Sequence, residues 1–205
     1  MKRRSVYFLI ASILTMLVPS PGRFVYGVTR VLELNLLMLI GTLSISLIKK
    51  IKMEELNTVL VLVFIISGAI LYRQIMIMLW PEVMLTLGYL VYLMPVSVFL
   101  MGYIFNNMEQ PLGERLKLNI LHITTFSVYA LLFFLLRDLA GYGTFTFFGK
   151  NHQIFESEII KAEHTSLFSL LASVPGALIL SSILLFIHIF IRNKFSVIKN
   201  AEAAK

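Results

Sequence analysis

Apolar residues run along this chain in six stretches separated by short polar breaks: residues 5–18, within 24–48, 57–79, 83–105, 118–136 and 167–191. A membrane-crossing helix needs about 20 apolar residues, at about 1.5 Å of rise each across roughly 30 Å of hydrocarbon. Lipid offers no partner to bare backbone groups, so each stretch is expected to be helical. The two-residue alternation of a membrane β-barrel is absent. The breaks support the division. Lys49-Lys50-Ile51-Lys52-Met53-Glu54-Glu55 is charged, and Trp80-Pro81-Glu82 reads as a tight turn with an interfacial Trp. Residues 106–117 form a polar loop with Pro111 and Gly113, and residues 138–166 form the one long loop. Residues 154–166 mix apolar and charged positions, which fits either a helix lying on the membrane surface or an ordinary exposed loop.

Two stretches are irregular. The first stops at Val18-Pro19-Ser20-Pro21-Gly22, and its roughly 13–14 apolar residues make about 20 Å of helix, too short to cross. The fourth carries Pro95 near its middle, where proline breaks the helical ladder. Leu17-Val18-Pro19-Ser20 and Met94-Pro95-Val96-Ser97 are locally alike, and they occupy matching places if the chain is two three-helix halves of opposite orientation. Interrupted segments at matching positions of an inverted repeat point to a central site.

Composition excludes a soluble reading. Of 205 residues, 58% are hydrophobic and 14% charged, with a mean hydropathy of +0.86. A soluble domain is about 45–50% apolar and about 25% charged. A single membrane domain over residues 1–205 is expected, with no soluble domain. The net charge of +7 fits Lys and Arg gathered on the cytoplasmic side. With both termini inside, Lys2, Arg3, Arg4, Lys49, Lys50, Lys52, Arg115, Lys117, Arg192, Lys194, Lys199 and Lys205 are cytoplasmic; Arg23, Lys150 and Lys161 are outside, with Arg137 at a helix end. No basic stripe with interleaved aromatics points to nucleic acid. The basic N-terminus before an apolar run resembles a signal peptide, but Met16-Leu17-Val18-Pro19-Ser20-Pro21 is a poor cleavage site, so a retained first segment is expected.

Ionisable residues inside apolar stretches are the candidates for chemistry. Arg30 and Glu33, three apart in the second stretch, sit on neighbouring faces of a helix. A charge at mid-membrane costs about 2.5–3.5 kcal/mol on insertion scales, so the two should pair or line a polar path. An ion or proton route is one reading; a structural pair where the helix meets the membrane surface is the preferred one. Arg73 and Gln74 interrupt the third stretch, and Arg73 can snorkel. His122 and His188 fit hydrogen bonding to neighbouring helices better than proton relay. His152 and His164 lie in the long loop with Glu156, Glu158 and Glu163, without metal-ligand spacing. Ala172, Ser173, Gly176, Ala177, Ser181 and Ser182 allow close helix packing. No phosphate loop, nucleophile elbow or dinucleotide fingerprint is present.

Several stretches together resemble a known family, the E subunit of Rnf electron-transport complexes and the D subunit of the sodium-translocating NADH:quinone reductase, Nqr. Leu136-Arg137-Asp138-Leu139-Ala140-Gly141-Tyr142-Gly143-Thr144-Phe145, then Phe148-Gly149, is similar to the family's Arg-Glu, Gly-x-Gly-Thr and Phe-Gly after its fifth helix. Val174-Pro175-Gly176-Ala177 is similar to its Pro-Pro-Gly-Ala-Phe, Leu87-Gly88 through Gly102 to its fourth segment, and Ser46-Leu47-Ile48-Lys49-Lys50 to the end of its second. The resemblance implies an all-α integral membrane fold of six transmembrane segments in two inverted three-helix repeats, with half-helices in segments one and four. It implies a bacterial or archaeal cytoplasmic membrane, a homologous sister subunit of opposite topology, and flavin- and iron–sulfur-bearing partner subunits. It also implies a [2Fe-2S] cluster shared with the sister at mid-membrane, held by cysteines at the half-helix tips.

This chain departs at those tips. The family's cysteine positions fall on Val18 and Val98, and the chain has no cysteine at all. Valine has no lone pair for iron, so the four-thiolate cluster cannot form and no cofactor is expected in this chain. The expectation is a scaffold-like subunit of a multi-subunit oxidoreductase rather than a catalytic chain by itself. In it, Pro19 and Pro95 break the half-helices, Arg137, Gly141, Gly143 and Thr144 fix the turn leaving the fifth helix, and Pro175 and Gly176 shape the sixth. The alternative is the membrane component of a small-solute transporter with its site at the broken helices, against which stands the poverty of polar residues near Pro19 and Pro95.

Overall fold

The computed structural model describes residues 16–51, 54–106, 110–160 and 169–203. The first stretch lies outside these except for its last three residues, as do Lys161, Glu163 and His164. The helices are α1 (Phe24–Ile51), α2 (Asn57–Leu79), α3 (Pro81–Leu87), α4 (Val98–Asn106), α5 (Leu112–Tyr142), α6 (Ser169–Ala172) and α7 (Val174–Ala203). A tighter 3-10 stretch, Gly88–Leu93, continues α3, and strands β1 (Thr144–Phe148) and β2 (Ile154–Glu158) follow α5. Helices α1, α2 and α5 are long and apolar enough to cross a membrane. Their 28, 23 and 31 residues correspond to about 42, 35 and 46 Å of helix. Large apolar side chains cover the outside: Leu71 is 57% exposed and Met78 79%. Lipid is the solvent that tolerates such a surface, and the chain is a helical membrane protein.

Helix α1 is the centre of the bundle, packed against α5 and α2. Apolar burial gives little drive for association in lipid, so close packing and interhelical hydrogen bonds decide which faces meet. The antiparallel pair α1 and α5 uses both. Arg115 Nη2 donates to Ser46 Oγ at 2.9 Å, Asn119 Nδ2 to Thr42 Oγ1 at 3.0 Å, and Asn35 Nδ2 to Ser127 Oγ at 3.0 Å. Nearer the far end, Gly27 lets the Phe134 ring come so close that a Cβ there would lie 2.4 Å from it. Leu34, Leu37, Ile45, Phe126, Ala130 and Phe133 fill the space between.

Four sequence expectations need correction. The fifth helix starts at Leu112, inside the expected 106–117 loop, because extended Pro111 offers its carbonyl to the Arg115 N–H (3.1 Å) and Arg115 turns inward to Ser46. The fourth stretch breaks over residues 88–97, not at Pro95 alone: Gly88 adopts φ +52°, and Ser97 restarts the helix by accepting the Leu100 N–H on its Oγ at 3.3 Å. The sixth stretch is also broken, at Ser173 between α6 and α7, and Gly176 lets Leu170 O approach to 2.0 Å of where a Cβ would stand. Finally, the expected 138–166 loop begins as helix, since α5 runs on to Tyr142, and then forms an antiparallel hairpin in register from Thr144↔Glu158 to Phe148↔Ile154, so residues 154–158 form a strand and no surface helix. Alternating β-branched and aromatic residues in Thr144-Phe145-Thr146-Phe147 suit a pleated edge, and this hairpin is the departure from an all-α chain among the described residues.

Candidate functional site at the interrupted helices

The end of segment one and Met94, in the break of segment four, belong to one apolar cluster. Met16, Leu17 and Val18 are buried in it with Leu34, Met38, Met94 and Leu100. Pro95 is buried and Pro19 exposed. The two locally similar tetrapeptides work differently. Ser20 Oγ donates back to Met16 O at 2.8 Å and closes the turn behind it, whereas Ser97 opens the helix ahead of it. Val98 is the first residue of α4.

Beside this cluster stands the buried pair Arg30 and Glu33, at 1% and 0% exposure. Arg30 Nη1 donates to Glu33 Oε2 at 2.9 Å and also to Leu90 O at 2.7 Å. The second acceptor is the informative one. Leu90 lies in the 3-10 stretch of the interrupted segment, so one guanidinium ties α1 to the place where segment four loses its α-helical form. At the adjacent residue, Tyr72 Oη donates to Thr29 O at 2.7 Å and ties α2 to the same level of α1. Arg30 Nε, Arg30 Nη2 and Glu33 Oε1 have no hydrogen-bond partner. Donor and acceptor capacity is therefore left at one enclosed spot, the arrangement a polar path through the bundle would need.

A second polar knot closes the same end of the bundle. Arg137, 2% exposed, does not contact the turn after α5 as expected. Its guanidinium reaches across to Ser20 O (2.7 Å), Leu171 O (3.2 Å), Ala172 O (3.0 Å) and Ser173 O (3.4 Å), the carbonyl ends of segment one and of α6. A fixed cation suits a group of four backbone carbonyls gathered at one place. Gly22 and Gly141 give it room: a Cβ on Gly22 would meet Arg137 Nε at 2.8 Å, and one on Gly141 would meet Ala172 N at 2.8 Å. Asp138 fastens the turn instead. Its carboxylate accepts from Phe24 N (3.0 Å), Thr146 N (2.8 Å), Thr146 Oγ1 (2.7 Å) and Thr144 Oγ1 (2.9 Å), which joins the start of α1 to β1. Gly143, at φ 70°, caps α5 with its N–H on Leu139 O. Pro175, second in α7, needs no helical donor there.

The remaining candidates stay apart. The His122 ring stacks on Tyr103 with centroids 4.4 Å apart, and Arg73 sits over Tyr92 at 5.9 Å. His152, in the hairpin turn, contacts Leu79 O. No group of metal-binding side chains forms among the described residues. An iron–sulfur cluster does not fit the residues present: Val18 is a buried hydrocarbon and no thiolate exists in the chain. Sequence reasoning missed Asp138, the Leu90 carbonyl and the Asn35/Asn119 ladder. Asn35 and Asn119, polar in apolar helices, and Asp138, at the place of the family's Arg-Glu, carried a signal that could have been followed. The chain matches no protein-family model, and no curated protein matches it.

Proposed function

We propose that this chain is a non-catalytic core subunit of an Rnf/Nqr-like ion-translocating electron-transport complex in a bacterial or archaeal cytoplasmic membrane. Its six spans form two inverted three-helix repeats with both termini in the cytoplasm, and it packs against a homologous sister subunit of opposite topology. The flavin- and iron–sulfur-bearing subunits carry the redox groups. The observation that carries this reading is that Val18 and Met94, in the break of segment four, share one apolar core, where relatives would place cluster ligands. The ordered motifs around Arg137, Gly143 and Pro175 add to it. With no thiolate in the chain, the half-helix tips serve as contact surface, and Arg30 with Glu33, bonded to Leu90 O in the break, is the polar feature on which an ion route would run.

Purification of the tagged full chain from its native membrane in mild detergent tests this. Recovery with a second multi-span chain, a covalent-flavin subunit and a soluble iron–sulfur subunit is expected. Recovery with a nucleotide-binding ATPase instead overturns it in favour of a solute transporter. The chain purified alone is expected to give no cluster-type electron paramagnetic resonance signal.

A further inference from the structure

The hairpin after α5 carries aromatic and aliphatic side chains that the bundle does not cover. Phe147 is 40% exposed, Phe155 55%, Ile159 60% and Ile160 41%. Phe147 and Phe155 are direct cross-strand partners, so they project from the same face. The neighbouring positions point the other way: Thr144 and Thr146 face Asp138, and Glu156 pairs with Arg23 at 2.7 Å. The two Thr hydroxyls thus turn toward the protein, Glu156 is paired while partly exposed, and the Phe147–Phe155 pair stands out from the opposite face.

Its height along the bundle is fixed by hydrogen bonds. The Ile159 and Ile160 N–H groups both donate to Gly143 O at 2.9 Å, at the residue that ends α5. The rings of Phe145 and Phe147 lie 5.3 and 6.3 Å from that of Phe24, the first residue of α1. Glu82 Oε2 accepts the Ile154 N–H at 3.1 Å, and Trp80 meets Phe148 at 4.4 Å, which adds the turn between α2 and α3. The hairpin thus lies across helix ends at one end of the bundle. Lys49 and Lys50 mark the other end of α1. Counting about 20 residues of about 1.5 Å back from Lys49 brings the far edge of the hydrocarbon to about Arg30. The usual tilt of about 20° moves that edge to about Val28, so Phe24 stands about 6 Å beyond it, within a headgroup layer about 5–8 Å deep on each side.

We infer that the hairpin is an interfacial anchor: Phe147, Phe155, Ile159 and Ile160 rest in the headgroup layer at the end of the bundle opposite Lys49 and Lys50, and a lipid surface, not a protein partner, covers them. Trp and Tyr mark membrane interfaces, and Trp80, against Phe148, and Tyr142, beside Arg23, lie at this same end of the bundle. This inference rests on α1 and α5 crossing the bilayer.

The absence of native cysteine makes the test direct. Phe155→Cys and Ile160→Cys variants of the full chain, spin-labelled and reconstituted in phosphatidylcholine/phosphatidylglycerol vesicles, report depth through the ratio of oxygen to nickel-chelate accessibility. Lys150→Cys, at the hairpin turn, serves as the aqueous reference, and Val63→Cys on the outer face of α2 as the hydrocarbon reference. Labels at 155 and 160 are expected to show ratios several-fold above that at 150 and below that at 63. A ratio at both positions equal to that at 150 overturns the inference, since the hairpin would then stand in water. Labels at both positions shielded from both reagents also overturn it, since protein would then cover the face. A water-like ratio at 63 itself removes the membrane reading and the inference with it, which separates the two failures.

Discussion

Removing the carboxylate of Glu33 tests the energetics of the core most sharply. The Arg30–Glu33 bridge is 2.9 Å long with both side chains at most 1% exposed, a geometry worth about 6 kcal/mol of attraction at an effective dielectric of about 20. Much of that attraction offsets the desolvation of the two ions, so the pair contributes little net stability; breaking it is another matter. Glu33→Ala leaves the guanidinium enclosed with only Leu90 O as a partner, and a loss of about 3–5 kcal/mol is expected. Arg30→Met is expected to cost less, about 1–3 kcal/mol, because a carboxylate left alone can take up a proton whereas a guanidinium cannot lose one. The double variant Arg30→Met/Glu33→Leu is expected to lie within about 1 kcal/mol of the parent, or above it. Unfolding of the full chain in mixed micelles by titration with dodecyl sulfate, followed by far-ultraviolet circular dichroism, measures all three. A Glu33→Ala loss under about 0.5 kcal/mol, or a double variant as unstable as the two single losses together, refutes the buried-pair account. If the pair also lies on an ion route, the double variant keeps its stability while the assembled complex loses transport.

Asp138→Ala strips the acceptor from four donors at the start of α1 and in β1. A loss of about 3–5 kcal/mol is expected, with limited proteolysis in detergent cutting first in residues 144–158. Gly27→Ala drives a methyl into the Phe134 ring, 2.4 Å away, and should cost about 1–3 kcal/mol in the same unfolding assay; Phe134→Leu in the Gly27→Ala background should restore part of it. Gly143→Val forces a β-branched residue to φ 70° at an expected cost of about 1–3 kcal/mol, while Gly143→Asn, which tolerates that region, should lie closer to the parent. Asn119→Leu removes the hydrogen bond to Thr42 and should cost only about 0.6 kcal/mol, because polar partners are replaceable in the membrane-embedded unfolded state.

Hydropathy alone determined that the chain is a membrane protein and where α1 and α2 lie. The cost of placing a side chain in lipid depends on its own chemistry, not on its neighbours, so Lys49-Lys50 and Trp80-Pro81 mark helix boundaries without knowledge of the fold. Proline likewise announced an interruption in the fourth stretch, because its missing N–H is a local property. What the tertiary structure decided are the places where local chemistry admits two outcomes. Gly88 reads as an ordinary small residue until the chain takes it to φ +52°, and the break at Ser173, which Pro175 permits locally, is held where α6 packs against Gly141 and Gly176. Arg137 and Asp138 are adjacent and opposite in charge, yet they serve different helix ends and do not pair, a choice made by carbonyls and N–H groups up to 117 residues away in sequence. Arg30 and Glu33 are three apart and so were bound to meet on a helix. That they should also hold Leu90 O, and so tie α1 to the interrupted segment, depends on where a backbone carbonyl stands in space, which no side-chain pattern records.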